Sequence, residues 1–217
     1  VTEIFEPLLR PYDEKRRAEL VAAFMAVEYA AEPAPEVRFA ALREPSQRRV
    51  VEAMLALVGR TLIRYRNAWT SGYRDDVAAE LARDPACAQP EQDRAVLVLV
   101  LVHSVAIPRA EGALGEDTWM STVPTSVEEL RRRSQLPVGE LESSLRRLRA
   151  AGLVGQVKAG DESAGGFVPG PQFHRLTEAA RRRLQEELIL AAGPDSPLAA
   201  AVRARRRNRS APQGGDA

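Results

Sequence analysis

Residues 126–154 read SVEELRRRSQLPVGELESSLRRLRAAGLV. The punctuation of this stretch decides the fold. Ser126 followed by Glu129 is a capping box: the hydroxyl takes an N–H of the first helical turn and the carboxylate reaches back. A short helix therefore runs to about Arg133. Ser134-Gln135-Leu136-Pro137 reads as a turn, because proline has no N–H with which to continue a helix. A second helix spans about 138–151, with Leu141, Leu145 and Leu148 on one face at i, i+4 and i+7. Gly152 sits where the C-terminal cap calls for positive φ.

Working outward, Leu153–Lys158 alternates like a strand. A glycine-rich loop, 159–166, follows, and residues 172–176 are expected to form the returning strand. Thr177 caps a further helix to about Ala192, which Gly193-Pro194 stops. Upstream, Pro90-Glu91-Gln92-Asp93 opens a helix. The run Ala95–Val102 is apolar on every side, so a central helix to Ile107 is expected, with a buried strand as the alternative. Pro108 closes it, and 109–125 reads as a loop or insertion.

Two helices joined by a turn, then a hairpin, resemble a winged helix-turn-helix. The residues carrying the resemblance are Ser126–Leu130, Leu136–Leu141, Ser144–Val154 and Arg175-Leu-Thr-Glu-Ala-Ala-Arg181. The last phrase is similar to the post-wing helix start of MarR-type regulators, with Ala180 in place of the usual glycine. The resemblance implies that the second helix docks in the DNA major groove. It would present Pro137, Val138, Glu140, Glu142, Ser143 and Arg146 there, with Arg147 alongside. Lys158 and Arg175 would flank the wing, and Arg131, Arg132 and Arg133 would clamp phosphate or end the helix as solvated cations. Glu140, Glu142 and an acidic wing tip at Asp161-Glu162 depart from a strong DNA reader. The phrase Ser143–Gly152 also resembles, in outline, MukE-type accessory subunits of condensin-like complexes, which implies a protein partner instead.

Residues 1–90 match no motif. Residues 13–31 are expected to be a helix ended by Pro33 and Pro35. A second helix is expected over 46–67, capped by Ser46 with Val51, Met54, Leu55, Val58 and Leu62 as its stripe. A short helix is expected within 73–83. Trp69, Tyr65 and Tyr73 cluster near a helix end and read as packing residues rather than a ligand pocket. Arg203, Arg205, Arg206, Arg207 and Arg209 lie in a Pro/Gly-flanked segment that reads as a disordered basic arm able to add salt-dependent DNA affinity.

The expected fold class is thus mostly α: a helical N-terminal region followed by a winged helix-turn-helix with a small β-hairpin wing. Residues 1–90 form a platform for homodimerisation or a protein partner, 91–193 the winged-helix domain, and 194–217 the tail. DNA binding as a transcriptional regulator is the first functional expectation. A non-enzymatic adaptor subunit of an SMC-like or other complex is the alternative.

Composition bounds these readings. The 217 residues hold 31 Lys+Arg and 30 Asp+Glu, a net of +1, which excludes a uniformly basic coating protein. The charge is uneven: −4 over 1–125, +2 over 126–190 and +3 over 191–217. Of the 31 cations 29 are arginine, which fits a GC-rich coding sequence as well as phosphate binding. Val1 fits a GTG start or a processed end. One cysteine, Cys87, excludes an internal disulfide and a cysteine-based metal site. His103 reads as a packed core residue and His174 as a surface one. No catalytic constellation, phosphate loop or cofactor motif is present. Neither a signal peptide nor an ~18-residue apolar span is found, so a cytoplasmic location is expected.

Overall fold

The computed structural model describes residues 2–115, 118–158 and 165–210. Helices α1 (Thr2–Leu9) and α2 (Glu14–Tyr29) lead into the short strand β1 (Ala34–Pro35). Helices α3 (Ala40–Arg43) and α4 (Pro45–Leu57) follow, then the hairpin β2 (Arg60–Tyr65) and β3 (Ala68–Tyr73). Helix α5 (Asp75–Leu81) crosses to α6 (Glu91–Leu101), which runs through a π turn at Val102–Ala106 into α7 (Ile107–Ala110). Then come α8 (Val127–Ser134), α9 (Val138–Ala150), β4 (Val154–Val157), β5 (Gly166–Pro169), α10 (Glu178–Ala192) and α11 (Pro197–Ser210).

The same plan occurs twice. In the first unit β1 pairs antiparallel with β3, and β3 with β2. In the second, Thr125 bridges Phe167 of β5, and β5 pairs with β4. Each unit is therefore helix, short strand, helix, helix, hairpin. The fold is mostly helical with small antiparallel sheets, and the second hairpin is the wing expected from the sequence.

Apolar burial explains both units. Leu20, Phe24 and Val27 of α2 meet Leu42, Val51, Met54, Leu55 and Trp69 in one core. Val96, Val100, Leu130, Leu141, Leu145, Leu148, Val154 and Phe167 form the second. A third cluster, with Leu101, Val105, Trp119, Phe173 and Leu188, seats α10. The 109–125 stretch, read as a loop or insertion, thus contributes Trp119 to the core and Thr125 to the sheet.

Four expectations are corrected here. The helix expected over 46–67 stops at Leu57, and Glu44 rather than Ser46 precedes its Pro45 start. Gly59 then turns the chain at φ +72, and Arg66 at φ +53 makes the hairpin tip. The helical stripe looked continuous because Leu62 packs on the same core, but from β2. The returning strand is 166–169, and Pro171–Arg175 is a 3-10 turn that buries His174. Residues 197–210 are helical, not disordered. Ser196 caps that helix by accepting from the Ala199 N–H, and Ala199 and Val202 are buried. Leu-Ala-Ala-Ala at 198–201 has high helix propensity, which outweighs the arginine-rich composition. The long apolar helix runs on past Pro108 to Ala110 rather than closing there. A proline ring collides with the carbonyl four residues back, and the π turn at Val102–Ala106 widens the helix at that point.

Among the described residues no helix is long and apolar enough to cross a membrane.

Candidate interaction faces and the joint between units

The pair α8–α9 forms as its punctuation requires. Ser126 Oγ accepts from the Glu129 N–H at 3.1 Å. The Glu129 carboxylate does not reach back; it pairs with Arg132 and with Arg133 Nε at 3.1 Å. Arg131 is exposed. Gln135, at φ +56, ends α8 in the left-handed region. Gly152, at φ +68, does the same after α9.

On α9, Val138, Glu140, Glu142 and Arg146 reach solvent, and Ser143 is half-buried. Gln92 donates to Glu140 at 2.8 Å. Arg147, expected beside the groove, is turned onto α6. Its Nε and Nη2 donate to the two carboxylate oxygens of Asp93 at 2.8 and 2.6 Å. Asp93 is fully buried. The two bonds from Arg147 hold its carboxyl below the usual range, against the opposing cost of burial. A two-pronged pair of this kind fixes the guanidinium plane, so Arg147 ties α6 to α9. Sequence spacing gives no hint of a partner 54 positions away.

Lys158 is exposed at the edge of the wing. The acidic wing tip at 159–164 lies outside the described residues. In α11, Arg203 and Arg207 are exposed. Arg205 and Arg206 donate to the buried Glu186 of α10 at 2.7 and 3.0 Å. The side chain of Arg209 lies outside the described residues.

Arg175 departs furthest from expectation. It does not flank a DNA-facing wing; it enters the first unit. Its Nη1 donates to Val27 O, Ser71 O and Ser71 Oγ at 3.3, 3.1 and 2.9 Å. Its Nη2 donates to Ala30 O at 2.6 Å. Val27 and Ala30 end α2, where carbonyls lack helical partners and carry partial negative charge. A cation from the second unit thus caps a helix of the first. Around it, Ser71 Oγ donates to Glu28 at 2.5 Å, and Arg60 pairs with Glu28 at 2.9 Å. Arg60 also stacks on Tyr73, 3.6 Å from the ring centroid. Farther out, Thr177 and Arg183 both donate to Asp75, at 2.8 and 3.0 Å. From the sequence Tyr73 read only as a packing residue and Thr177 only as a helix cap, and reading 46–67 as one helix hid β2, which carries Arg60.

The joint also contains His174. It lies edge-on to Tyr65 at 4.4 Å, with Nε2 3.7 Å from Glu32. Burial holds its imidazole below the ordinary histidine value of about 6.5, with Glu32 opposing and Arg181 assisting. The native state therefore resists a proton that the unfolded chain accepts. Stability from this group is full above about 6.5 and declines as pH falls below it. The melting temperature at pH 5.5 should lie below that at pH 7.5, and His174→Gln should shrink the difference. An unchanged difference would assign the dependence to other groups.

No family model matches the chain, and no curated protein matches it. Two solved structures are similar in outline. One is a conserved hypothetical protein from Chlorobium tepidum, at 15% identity, covering 74% of this chain and 95% of that one, with TM-score 0.29. The other is ScpB from Mycobacterium tuberculosis, at 19% identity, covering 80% and 97%, with TM-score 0.24.

Proposed function

We propose that the chain is a non-enzymatic adaptor whose second winged helix docks on a protein partner. The observation that carries this is the solvent face of α9. It presents Val138, Glu140 and Glu142 where phosphate would have to approach, while Arg147 is drawn away onto Asp93. Carboxylates there oppose a polyanion. Between α6 and the end of α8 lies a groove of about 670 Å³, lined by Ala95, Val98, Leu99 and Leu136 and by the charged Glu91, Arg94 and Arg133. An apolar floor with a charged rim suits a protein segment. An SMC-like assembly is the partner class that the sequence resemblance implies.

The test is co-purification with the subunits of an SMC-type complex from the same organism. Wild-type chain should co-elute with one of them. Val98→Glu should abolish co-elution while the chain keeps a cooperative melting transition, since Val98 is half-buried and lies outside the core clusters. Co-elution unaffected by Val98→Glu would remove the groove from the interface. Absence of any complex would sink the adaptor reading.

A second reading, DNA contact by this unit, is favoured by the exposure of Arg131, Arg146 and Arg149, with Arg203 and Arg207 on α11. It requires Arg146→Ala to weaken duplex binding.

A further inference from the structure

We propose that the first unit, not the second, carries a face that binds the backbone of duplex DNA, formed by α4 and the tip of the β2–β3 hairpin. Charge localises it. Residues 34–69, from β1 to the start of β3, hold seven arginines and three glutamates, a net of +4. The remainder of residues 1–125 carries −8. The acidic front of the chain therefore contains a strongly basic segment, and that segment coincides with the helix pair and hairpin.

The fold then gathers those arginines. Trp69 of β3 has Arg48 of α4 at 4.9 Å and Arg64 of β2 at 5.5 Å from its ring centroid. One indole thus brings a helix cation and a hairpin cation together. At the tip, Arg66 lies over Tyr65 at 5.5 Å, and Arg64 Nε donates to Arg66 O at 3.1 Å. Arg49 is exposed next to Arg48, and Arg38 is exposed beyond Glu36, whose N–H donates to Asn67 O of the tip at 3.0 Å.

Stacking engages the flat face of a guanidinium and leaves in-plane N–H groups for phosphate. Arg48 commits Nη1 to Leu42 O and Arg64 commits Nε to Arg66 O; among the described residues their other side-chain donors make no further hydrogen bond. Glu36, beside the hairpin tip, is already used: it accepts from Trp69 Nε1 at 3.1 Å.

The target follows from this chemistry. Duplex DNA offers a charge about every 1.7 Å and needs no apolar anchor. An acidic protein segment of useful affinity would need one, and the hairpin tip, residues 64–67, exposes no large apolar side chain.

The test uses the full chain and a fluorescein-labelled mixed-sequence duplex of about 25 base pairs, with anisotropy read across a salt series. The double variant Arg64→Gln/Arg66→Asn suits the turn, because Asn tolerates the positive φ at position 66. Affinity at the lowest salt should fall about tenfold. The log–log salt slope should shrink by about 1.8, two phosphate contacts at about 0.9 each. Arg49→Gln, on α4, should remove about 0.9 without touching the hairpin and keeps the test valid if the double variant misfolds. Three results would each overturn the proposal: no duplex binding by the full chain at low salt, an unchanged slope in both variants, or a slope lost only with Arg146→Ala and Arg149→Ala. Binding to polyglutamate that the duplex fails to compete would assign the face to an acidic protein and overturn it as well.

Discussion

Replacing Arg175 with alanine is expected to split thermal unfolding into two transitions. In the native chain one guanidinium satisfies the carbonyls of Val27, Ala30 and Ser71 and the hydroxyl of Ser71. Two of those carbonyls are at the C-terminal end of α2, which has no capping side chain of its own. Removing the cation takes the donor from Ala30 O and leaves Val27 O only Thr70 Oγ1, at 3.5 Å, inside a partly closed joint, while Glu28 keeps Arg60 and Ser71 as partners. Losing the charged member of such a set costs about 3 kcal/mol. For a chain of this size that lowers the melting temperature by roughly 6–12 °C.

The loss falls on the coupling between units, because Arg175 comes from the second unit and its hydrogen-bond acceptors all lie in the first. Calorimetry should therefore show one cooperative peak in wild type and two overlapping peaks in Arg175→Ala. Arg175→Lys should be intermediate, since an ammonium keeps the charge but not the fork of donors. A single unshifted peak in Arg175→Ala would show that the joint contributes nothing to cooperativity.

Gly72→Ala should do comparable damage by the opposite route. A Cβ at Gly72 would sit 2.1 Å from Arg175 O and 2.5 Å from Ile63 Cδ1. The side-chain methyl can move, but the backbone oxygen belongs to the 3-10 turn that holds the joint shut. Overpacking of this severity costs about 3 kcal/mol, and the joint can relieve it only by opening. Gly72→Ala should thus lower the melting temperature by a similar amount and expose the Arg175 segment to proteolysis. Gly139→Ala is the control of opposite sign. It sits in α9 with nothing within 4 Å of the added carbon. Alanine there should stabilise by about 0.5–1 kcal/mol, since glycine is the costlier residue inside a helix. Equal melting temperatures for Gly72→Ala and wild type would mean that the two units do not press together at this point.

Both predictions concern a joint that was invisible in the sequence, and the reasons are specific. The second winged helix was legible because each of its boundaries is set locally. Ser126 caps α8 from three residues away, Leu141, Leu145 and Leu148 mark one face of α9, Gly152 supplies its cap, and Thr177 caps α10. Its returning strand was misplaced because Gly-Phe-Val-Pro is a poor strand by composition and pairs only through β4 and Thr125. The first winged helix was missed because Leu62 continues, by spacing alone, the stripe of α4. The site residues fared by the same rule. Arg146 is exposed as its helical phase requires. Arg147 and Arg175 were assigned to DNA by position in a motif, and each is committed to groups far away in the chain.

By itself, then, the amino-acid order determined the helix pair at 126–151, its caps, its apolar face and the wing that follows. These rest on hydrogen bonds and burial between residues a few positions apart. Only the tertiary structure decided that residues 1–90 repeat the same plan, that α11 folds back on Glu186, and which arginines remain available to a partner. Those outcomes depend on where carbonyls and carboxylates from distant segments come to rest. An arginine pairs with whatever acceptor the fold brings within about 3 Å, and local pattern carries no information about that.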